Sequence, residues 1–392
     1  MRSRRFLHPL GQRRPAMAPP EPGLLCRLRG RLARLAPWLC HGFSCPGAPA
    51  LKRRLLAAGL CCCTVLVLYA ASSLRDPPPV WGRGSDGGDE RRTATTVLMW
   101  WVPFGRKQPL DACERRFGIR DCNLITDRGR QLEAQAVVFH NWELMSSGPK
   151  NLPRVRPPGQ RWVWMNLESP THTRGLRDLA GIFNWTMSYK VDSDIFVPYG
   201  YLRPSQTPAP HLSMPRKTKL VAWVISNWKE EQARVRYYRQ LKDHLPIDIY
   251  GAHGLKLKNN SVVKTVSEYK FYLAFENSQH PDYITEKLWR NAFTSWAVPV
   301  VLGPARSNYE RFIPPDSFIH IDDFASPRQL ALYLKFLDKN KSQYRRYFAW
   351  RKQYDVQTMF FWVEHGCRVC DAVRAAGKQP KTIQNLANWF ES

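Results

Sequence analysis

The sequence is short of acid. Its 392 residues hold 32 Asp and Glu against 59 Lys and Arg, a net charge of +27. Such a balance suits an anionic partner: nucleic acid, a membrane surface or an anionic substrate. Cysteine is scarce after residue 63, where only Cys113, Cys122, Cys367 and Cys370 occur. Zinc ribbons usually repeat a short C-x2-C-like spacing twice. Cys113 and Cys122 lack that spacing, so zinc is the weaker alternative to two disulfides. No repeat at solenoid spacing is present, which sets aside stacked-repeat architectures. Leu55–Leu74 contains no charged residue at all.

That last absence is informative. Twenty uncharged residues match the length needed to cross a bilayer core. Lys52, Arg53 and Arg54 stand before it, and residues 1–54 carry twelve basic residues against the single acid Glu21. The positive-inside rule then keeps the N-terminus cytosolic and sends the C-terminus into the lumen. A cleaved signal peptide is the rival, but the run starts late and is long for one. A membrane anchor explains much of the tail charge without nucleic acid. Two close cysteine pairs, Cys113 with Cys122 and Cys367 with Cys370, read as two local disulfides of a secretory compartment. Sequons at Asn184, Asn259 and Asn340 agree with a lumenal location and are expected to carry N-glycans.

Hydrophobic residues make up 44% and aromatics 12% of the chain, enough for large cores. About 300 residues follow the anchor, which suits two α/β domains. The expected order is a basic tail (1–54), an anchor (55–74), a Pro/Gly-rich stem (75–92), a first α/β domain (93–210), a second (211–362) and a C-terminal CxxC segment with a helix (363–392). In the first domain TVLMWW, AQAVVFH and RWVWMNL read as strands. In the second, Lys219–Ser226, IDIYG, Tyr272–Glu276, AVPVVLG and FIHIDDF read as strands. They alternate with helices over Glu231–Leu245, Tyr283–Ser295 and Ser326–Asn340. Alternation of this kind implies parallel sheets with helices on both faces. Ligands then bind at the carboxyl ends of the strands.

The segment FENSQHPDYITEKLWRN (275–291) concentrates the chemistry. A helix with Asp282 as N-cap would put Tyr283, Glu286, Lys287 and Arg290 on one face and Ile284, Leu288 and Ala292 on the other. A phenol, a carboxylate and two cations near a helix start suit a diphosphate joined to a polyhydroxy group. The plain alternative is a solvated face of charge pairs. Trp100, Trp101, Trp162 and Trp164 read as core.

FENSQHPDYITEKLWRNA and VPVVLGPARSNYE resemble the signature of the α-(1,3)-fucosyltransferases of glycosyltransferase family 10. WVWMNLESPTHT, NWTMSY, DSDIFVPYGY and CRVC are similar too, and the resemblance runs from about Thr96 to the C-terminus. PPGQRWVWMN, ARVRYY and the NLANWFE ending point to its myeloid-type branch. The resemblance implies a GT-B fold of two facing Rossmann-like domains. It implies transfer of L-fucose from GDP-β-L-fucose, with inversion, to the 3-OH of GlcNAc in lactosamine-type glycans of glycoproteins and glycolipids. Carried over by motif, Arg234 and Lys287 meet the diphosphate. Glu286 and Tyr283 sit near ribose or fucose hydroxyls. Ser226, Tyr272 and Asn277 shape the nucleotide pocket. Glu168 is the general base.

His140 and Trp142 fall where the family governs acceptor choice, and His172 is read as either orienting the acceptor or bonding within its own loop. Asp192 and Asp194 form a DxD, yet the family uses that segment without a metal, so no intrinsic cofactor and no metal is expected. The implied setting is the Golgi stack membrane in type II orientation. A second copy of the chain is carried as a further partner. The rivals are a glycoside hydrolase using Glu168 with Glu286, and an inactive glycan-binding membrane protein.

Overall fold

The computed structural model describes residues 94–106, 112–206, 214–252, 254–377 and 380–392. The chain divides into two units, Met1–Gly88 and Asp89–Ser392. The tail, the anchor and the whole of the stem lie outside the described residues, as does the expected domain boundary at 210. No helix among the described residues is long and apolar enough to cross a membrane.

The unit Asp89–Ser392 is built on two parallel sheets. The first has the order β2-β1-β3-β4-β5-β6. Its strands are β1 (Thr95–Met99), β2 (Cys122–Ile125), β3 (Ala136–His140), β4 (Arg161–Asn166), β5 (Trp185–Ser188) and β6 (Ile195–Phe196). Helix α1 (Asn141–Ser147) leaves directly from β3. A short strand, β7 (Gly200–Pro204), then leads toward the second half.

The second sheet has the order β12-β11-β10-β8-β9. Its strands are β8 (Lys219–Val224), β9 (Asp248–Tyr250), β10 (Tyr269–Phe275), β11 (Val298–Leu302) and β12 (Ile319–His320). Helices α2 (Ala233–Leu241), α3 (Lys287–Phe293) and α4 (Pro327–Lys339) cover its faces. Strand β13 (Tyr354–Thr358) pairs antiparallel with β7.

Both sheets are covered on two sides, so their strands are apolar without alternation. Every residue of β3 and of β11 is buried. The period of two decides only which layer each side chain joins. Phe271, Leu273 and Phe275 of β10 pack with Val235, Tyr238 and Leu241 of α2 and Leu330, Leu334 and Leu337 of α4. Tyr272 and Ala274 point the other way, onto Ile284, Leu288, Trp289 and Ala292. Full burial of each leucine contributes about 1.5–3 kcal/mol. Helix α4 starts where Ser326 accepts from the Gln329 amide, followed by Pro327 at its first position.

The C-terminal segment returns to the first sheet. Helix α5 (Val363–Ala375) buries Val363, Cys367, Val369 and Cys370 against Val97, Met99 and Val138. Helix α6 (Leu386–Glu391) places Leu386, Ala387 and Phe390 on the opposite face, with Phe139 and Trp164. The expected local disulfides are corrected here: Cys113 bonds Cys367 and Cys122 bonds Cys370, at Cα separations of 5.4 and 5.7 Å. The reason is helical geometry. Cys367 and Cys370 lie three residues apart on one face of α5, and both point at the first half. Sequence nearness therefore misled. The bridges close loops of 254 and 248 residues and fasten the chain's last segment to its first strands.

Candidate active site

Open parallel sheets offer a crevice where the strand order reverses. In the second sheet that point lies between β8 and β10, which run side by side although β9 intervenes in sequence. Ser226 and Asn227 follow β8 and are exposed there. Glu276 and Asn277 follow β10. Arg234, at the start of α2, donates to the Asn227 carbonyl at 2.6 Å and to Gln232 Oε1 at 2.8 Å. Burial lowers the Arg234 pKa, while the charges of Glu276 and Glu286 oppose that shift.

Motif and spacing point past Glu276, and the structure brings it to the centre. It is 1% exposed. Its Oε1 accepts from the Thr285 amide and hydroxyl, each at 2.9 Å, and its Oε2 accepts from Lys287 Nζ at 2.9 Å. Burial raises its pKa, with Lys287 working against the shift. Burial also disfavours the Lys287 cation, but Glu276 and Glu286 outweigh it and hold the ammonium protonated above the ordinary lysine range. Glu286 lies 3.5 Å from Lys287 Nζ. Burial pushes the Glu286 pKa up, and Lys287, Thr285 and Arg290 bring it below the ordinary value. The only hint of Glu276 in the sequence is an acid ending an apolar strand eleven residues before a lysine.

The expected helix over 283–295 is shorter and wound differently. Residues 281–285 form a turn, and α3 begins at Lys287 in wide i→i+5 turns. Asp282 has φ +63° and is not an N-cap. Its carboxylate accepts from the Val191 amide, from Asn308 Nδ2 and from Arg311. The apolar face is as expected: Ile284, Leu288 and Ala292 pack on the sheet. The polar face is not, because Tyr283 lies before the helix.

Tyr283 is corrected in place: it precedes the helix. Its ring is 2% exposed and packs among first-half residues, 5.1 Å from Tyr189. Its hydroxyl donates to Glu168 Oε1 at 2.9 Å. Tyr272 lies beneath the strand ends. It is fully buried, and its hydroxyl accepts from Asn291 Nδ2 at 3.2 Å. Ser226 and Asn277 remain at the strand ends where a ligand has access.

Glu168 follows β4, half-buried, with its amide donating to Asn166 Oδ1 at 3.2 Å. The carboxylate reaches across to the second half and receives the Tyr283 phenol. Desolvation and the charges of Glu286, Glu168 and Glu276 all raise the pKa of Tyr199, so these carboxylates all act on one partly buried phenol. Tyr199 Oη donates to the Leu167 carbonyl at 2.6 Å, one residue before Glu168. The base candidate and the cation cluster thus belong to one electrostatic neighbourhood. A cavity of about 320 Å³ lies beside α2, lined by Ala233, Arg236, Tyr237, Gln279, Gly303 and His320.

The first sheet reverses its order between β1 and β3. His140 ends β3 and Trp142 lies on α1, just beyond that reversal. His140 is buried and pairs with Glu143. Burial raises the Glu143 pKa, but His140 and the Phe104 amide bring it below the ordinary value. Trp142 is 61% exposed and lies 6.1 Å from the exposed Phe104 ring. His172 is exposed on the turn after Glu168. Trp142 and His172 are therefore accessible to a ligand, whereas His140 is buried.

Two matches decide the family. Residues 92–200 match "Fucosyltransferase, N-terminal", and residues 214–389 match "Glycosyltransferase family 10 (fucosyltransferase) C-term". The alpha-(1,3)-fucosyltransferase 4 of Bos taurus is 52% identical over 326 residues, covering 73% of this chain and 82% of the relative. The chain belongs to glycosyltransferase family 10. Human alpha-(1,3)-fucosyltransferase 4 is 52% identical over 336 residues, and this family-10 chain spans 63% of that relative's length. Human 4-galactosyl-N-acetylglucosaminide 3-alpha-L-fucosyltransferase FUT5 is 51% identical over 292 residues, covering 74% of this chain and 78% of the relative. A solved alpha1,3-fucosyltransferase with GDP superposes with a TM-score of 0.49 at 16% identity, over 78% of this chain and 96% of that one.

Several polar residues of the family-10 chain hold its frame. Asp194 accepts from the Thr186 amide and pairs with Lys381. Asp192 accepts from Trp389 Nε1 at 2.8 Å. The DxD therefore clasps the C-terminal segment. Among the sequons, Asn184 differs from the other two in burial. It is 5% exposed, its Nδ2 donates to the Lys381 carbonyl at 2.7 Å, and its Oδ1 accepts from the Trp162 amide. Asn259 is exposed, and Asn340 caps the next helix through Oδ1.

Proposed function

We propose that the chain is an inverting α-(1,3)-fucosyltransferase using GDP-β-L-fucose and the 3-OH of GlcNAc in lactosamine-type acceptors. The observation that carries this is the Tyr283–Glu168 hydrogen bond. It couples the acid after β4 to the turn that leads into Lys287. In this reading the diphosphate lies at the β8/β10 crevice, near Lys287 and Arg234, beside Ser226 and Asn277. Both cations are already held in place by fixed partners, so they need little reorganisation when negative charge develops on departing GDP.

The acceptor hydroxyl attacks C1 from the opposite side. The C1–O bond to the diphosphate breaks with its electron pair as the new C1–O bond forms. Glu168 takes the hydroxyl proton, a contribution of about 10²–10⁴ in rate for a positioned base. The two halves face each other in the GT-B manner across this crevice. Trp142 and His172 border the acceptor, with His140 supporting Trp142's helix.

The hydrolase alternative needs a protonated acid opposite Glu168. Glu286 is held ionised beside Lys287 and does not supply one. The remaining expectations extend the same reading: an anchor at 55–74, a Golgi lumenal catalytic unit in type II orientation, glycans at Asn259 and Asn340, and a homodimer. The test is transfer of radiolabelled fucose from GDP-fucose to type 1, type 2 and sialylated lactosamine acceptors. The reading expects α-(1,3)-linked product on a type 2 acceptor. Release of fucose from glycans without any GDP requirement would overturn it.

A further inference from the structure

The turn after β10 does more than lead to Lys287. It is bonded to the first half at four points. Tyr283 Oη donates to Glu168 Oε1 at 2.9 Å, and Ser278 Oγ donates to Ser169 Oγ at 2.6 Å. Thr171 Oγ1 and His280 Nε2 share a hydrogen bond of 2.7 Å. The Val191 amide donates to Asp282 Oδ2 at 3.0 Å. Three of the four fall on residues 168–171, immediately after β4.

The serine pair differs from the others in burial. Ser169 is 0% exposed and Ser278 5%. A buried hydroxyl that loses its partner is costly. Ser278 Oγ also lies 3.3 Å from Asn277 Oδ1. Ser169 is next to Glu168, and its backbone carbonyl accepts from the His172 amide at 3.0 Å and from Thr173 Oγ1 at 2.9 Å. The Ser169 hydroxyl is thus the fully buried one of three points at which the second half grips this turn.

We propose that Ser278 is a positioning residue for Glu168, tying the acid's backbone to the nucleotide-side turn so that base and donor stay in register. This rests on the reading of Glu168 as the base. Ser278 does not touch the reacting atoms in this arrangement and acts through Ser169. Freed of that tie, Glu168 keeps the Tyr283 bond but gains backbone freedom. Misplacement of a reacting group by about 1 Å costs on the order of 10²-fold in rate, and a partial loss of register costs less.

The test is steady-state kinetics of Ser278→Ala, Ser278→Thr and Ser169→Ala in the full chain. Ser278→Ala is expected to lower kcat about tenfold while the KM for GDP-fucose changes less than about twofold. Ser278→Thr keeps the hydroxyl and is expected to recover most of the rate. Ser169→Ala removes the same bond from the other side and serves if Ser278→Ala does not fold. The double alanine variant is expected to be no slower than the slower single variant.

Ser278→Ala is also placed in the Glu168→Gln background, where it is expected to have no further effect on kcat. An undiminished tenfold drop in that background overturns the positioning role and leaves the base reading standing. Full activity of Glu168→Gln itself is the separate result that removes the base. An unchanged kcat in Ser278→Ala, or a loss confined to KM, also overturns the proposal.

Discussion

Replacing Lys287 by Met removes the ammonium that Glu276 faces and keeps most of the side chain's volume. The carboxylate left behind is 1% exposed and retains only its two Thr285 donors. Breaking a buried pair by deleting one partner costs about 3–5 kcal/mol. A unit of about 300 residues has an unfolding entropy of roughly 0.6 kcal/mol/K, so the thermal midpoint falls by about 5–8 °C. The sign with pH is fixed. Burial raises the folded-state pKa of Glu276. Without Lys287 opposing that shift, the pKa rises further. A carboxyl with a raised folded pKa destabilises the fold once pH exceeds its unfolded value, and the deficit shrinks on acidification. Lys287→Met is therefore least impaired at mildly acidic pH. The double variant Glu276→Gln/Lys287→Met removes the buried charge and recovers most of the midpoint. The assay is thermal unfolding by circular dichroism from about pH 5 to about pH 8. Equal losses in the single and double variants, at every pH, would refute the account of Glu276 as a buried partner of Lys287.

Other consequences follow from particular contacts. Peptide mapping without reduction is expected to yield Cys113–Cys367 and Cys122–Cys370. Finding Cys113–Cys122 would refute the stapling of α5 to the first sheet. Removing both bridges by Cys→Ser releases loops whose closure is worth up to about 5 kcal/mol, so the variant is expected to melt well below the parent. Glycoproteomics is expected to find Asn184 bare, and an occupied Asn184 in active protein would contradict its buried amide. Glu143 has a lowered folded pKa, so its stabilisation is present above the ordinary carboxylate value and lost as pH falls. Glu143→Gln is expected to lose less stability than the parent between about pH 6 and about pH 3.5, and parallel losses would rule the His140–Glu143 contact out as the cause.

The strand skeleton was legible because buried parallel strands are short apolar runs, as in AVVFH and VPVVL. Helix α4 was legible too, with Ser326 and Pro327 marking its start. The segment 282–293 was not. A 100° wheel assumes continuous helix, and Asp282 in the left-handed region, a turn to Thr285 and wide winding after Lys287 all break that assumption. Tyr283 thereby left the supposed polar face and entered the other half's core. The disulfide pairing depended on where α5 docks, which no local pattern encodes. Glu276 was hidden for a similar reason, since an acid at a strand end looks like any loop carboxylate until Lys287 folds back onto it.

The central claim is that Glu168 removes the acceptor proton while donor binding is carried by the other half. Single-turnover transfer by Glu168→Gln, loaded with GDP-fucose and mixed with a type 2 acceptor, tests it most directly. The account expects donor affinity like the parent's and transfer slowed by about 10²–10⁴. Transfer at the parent's rate would contradict it.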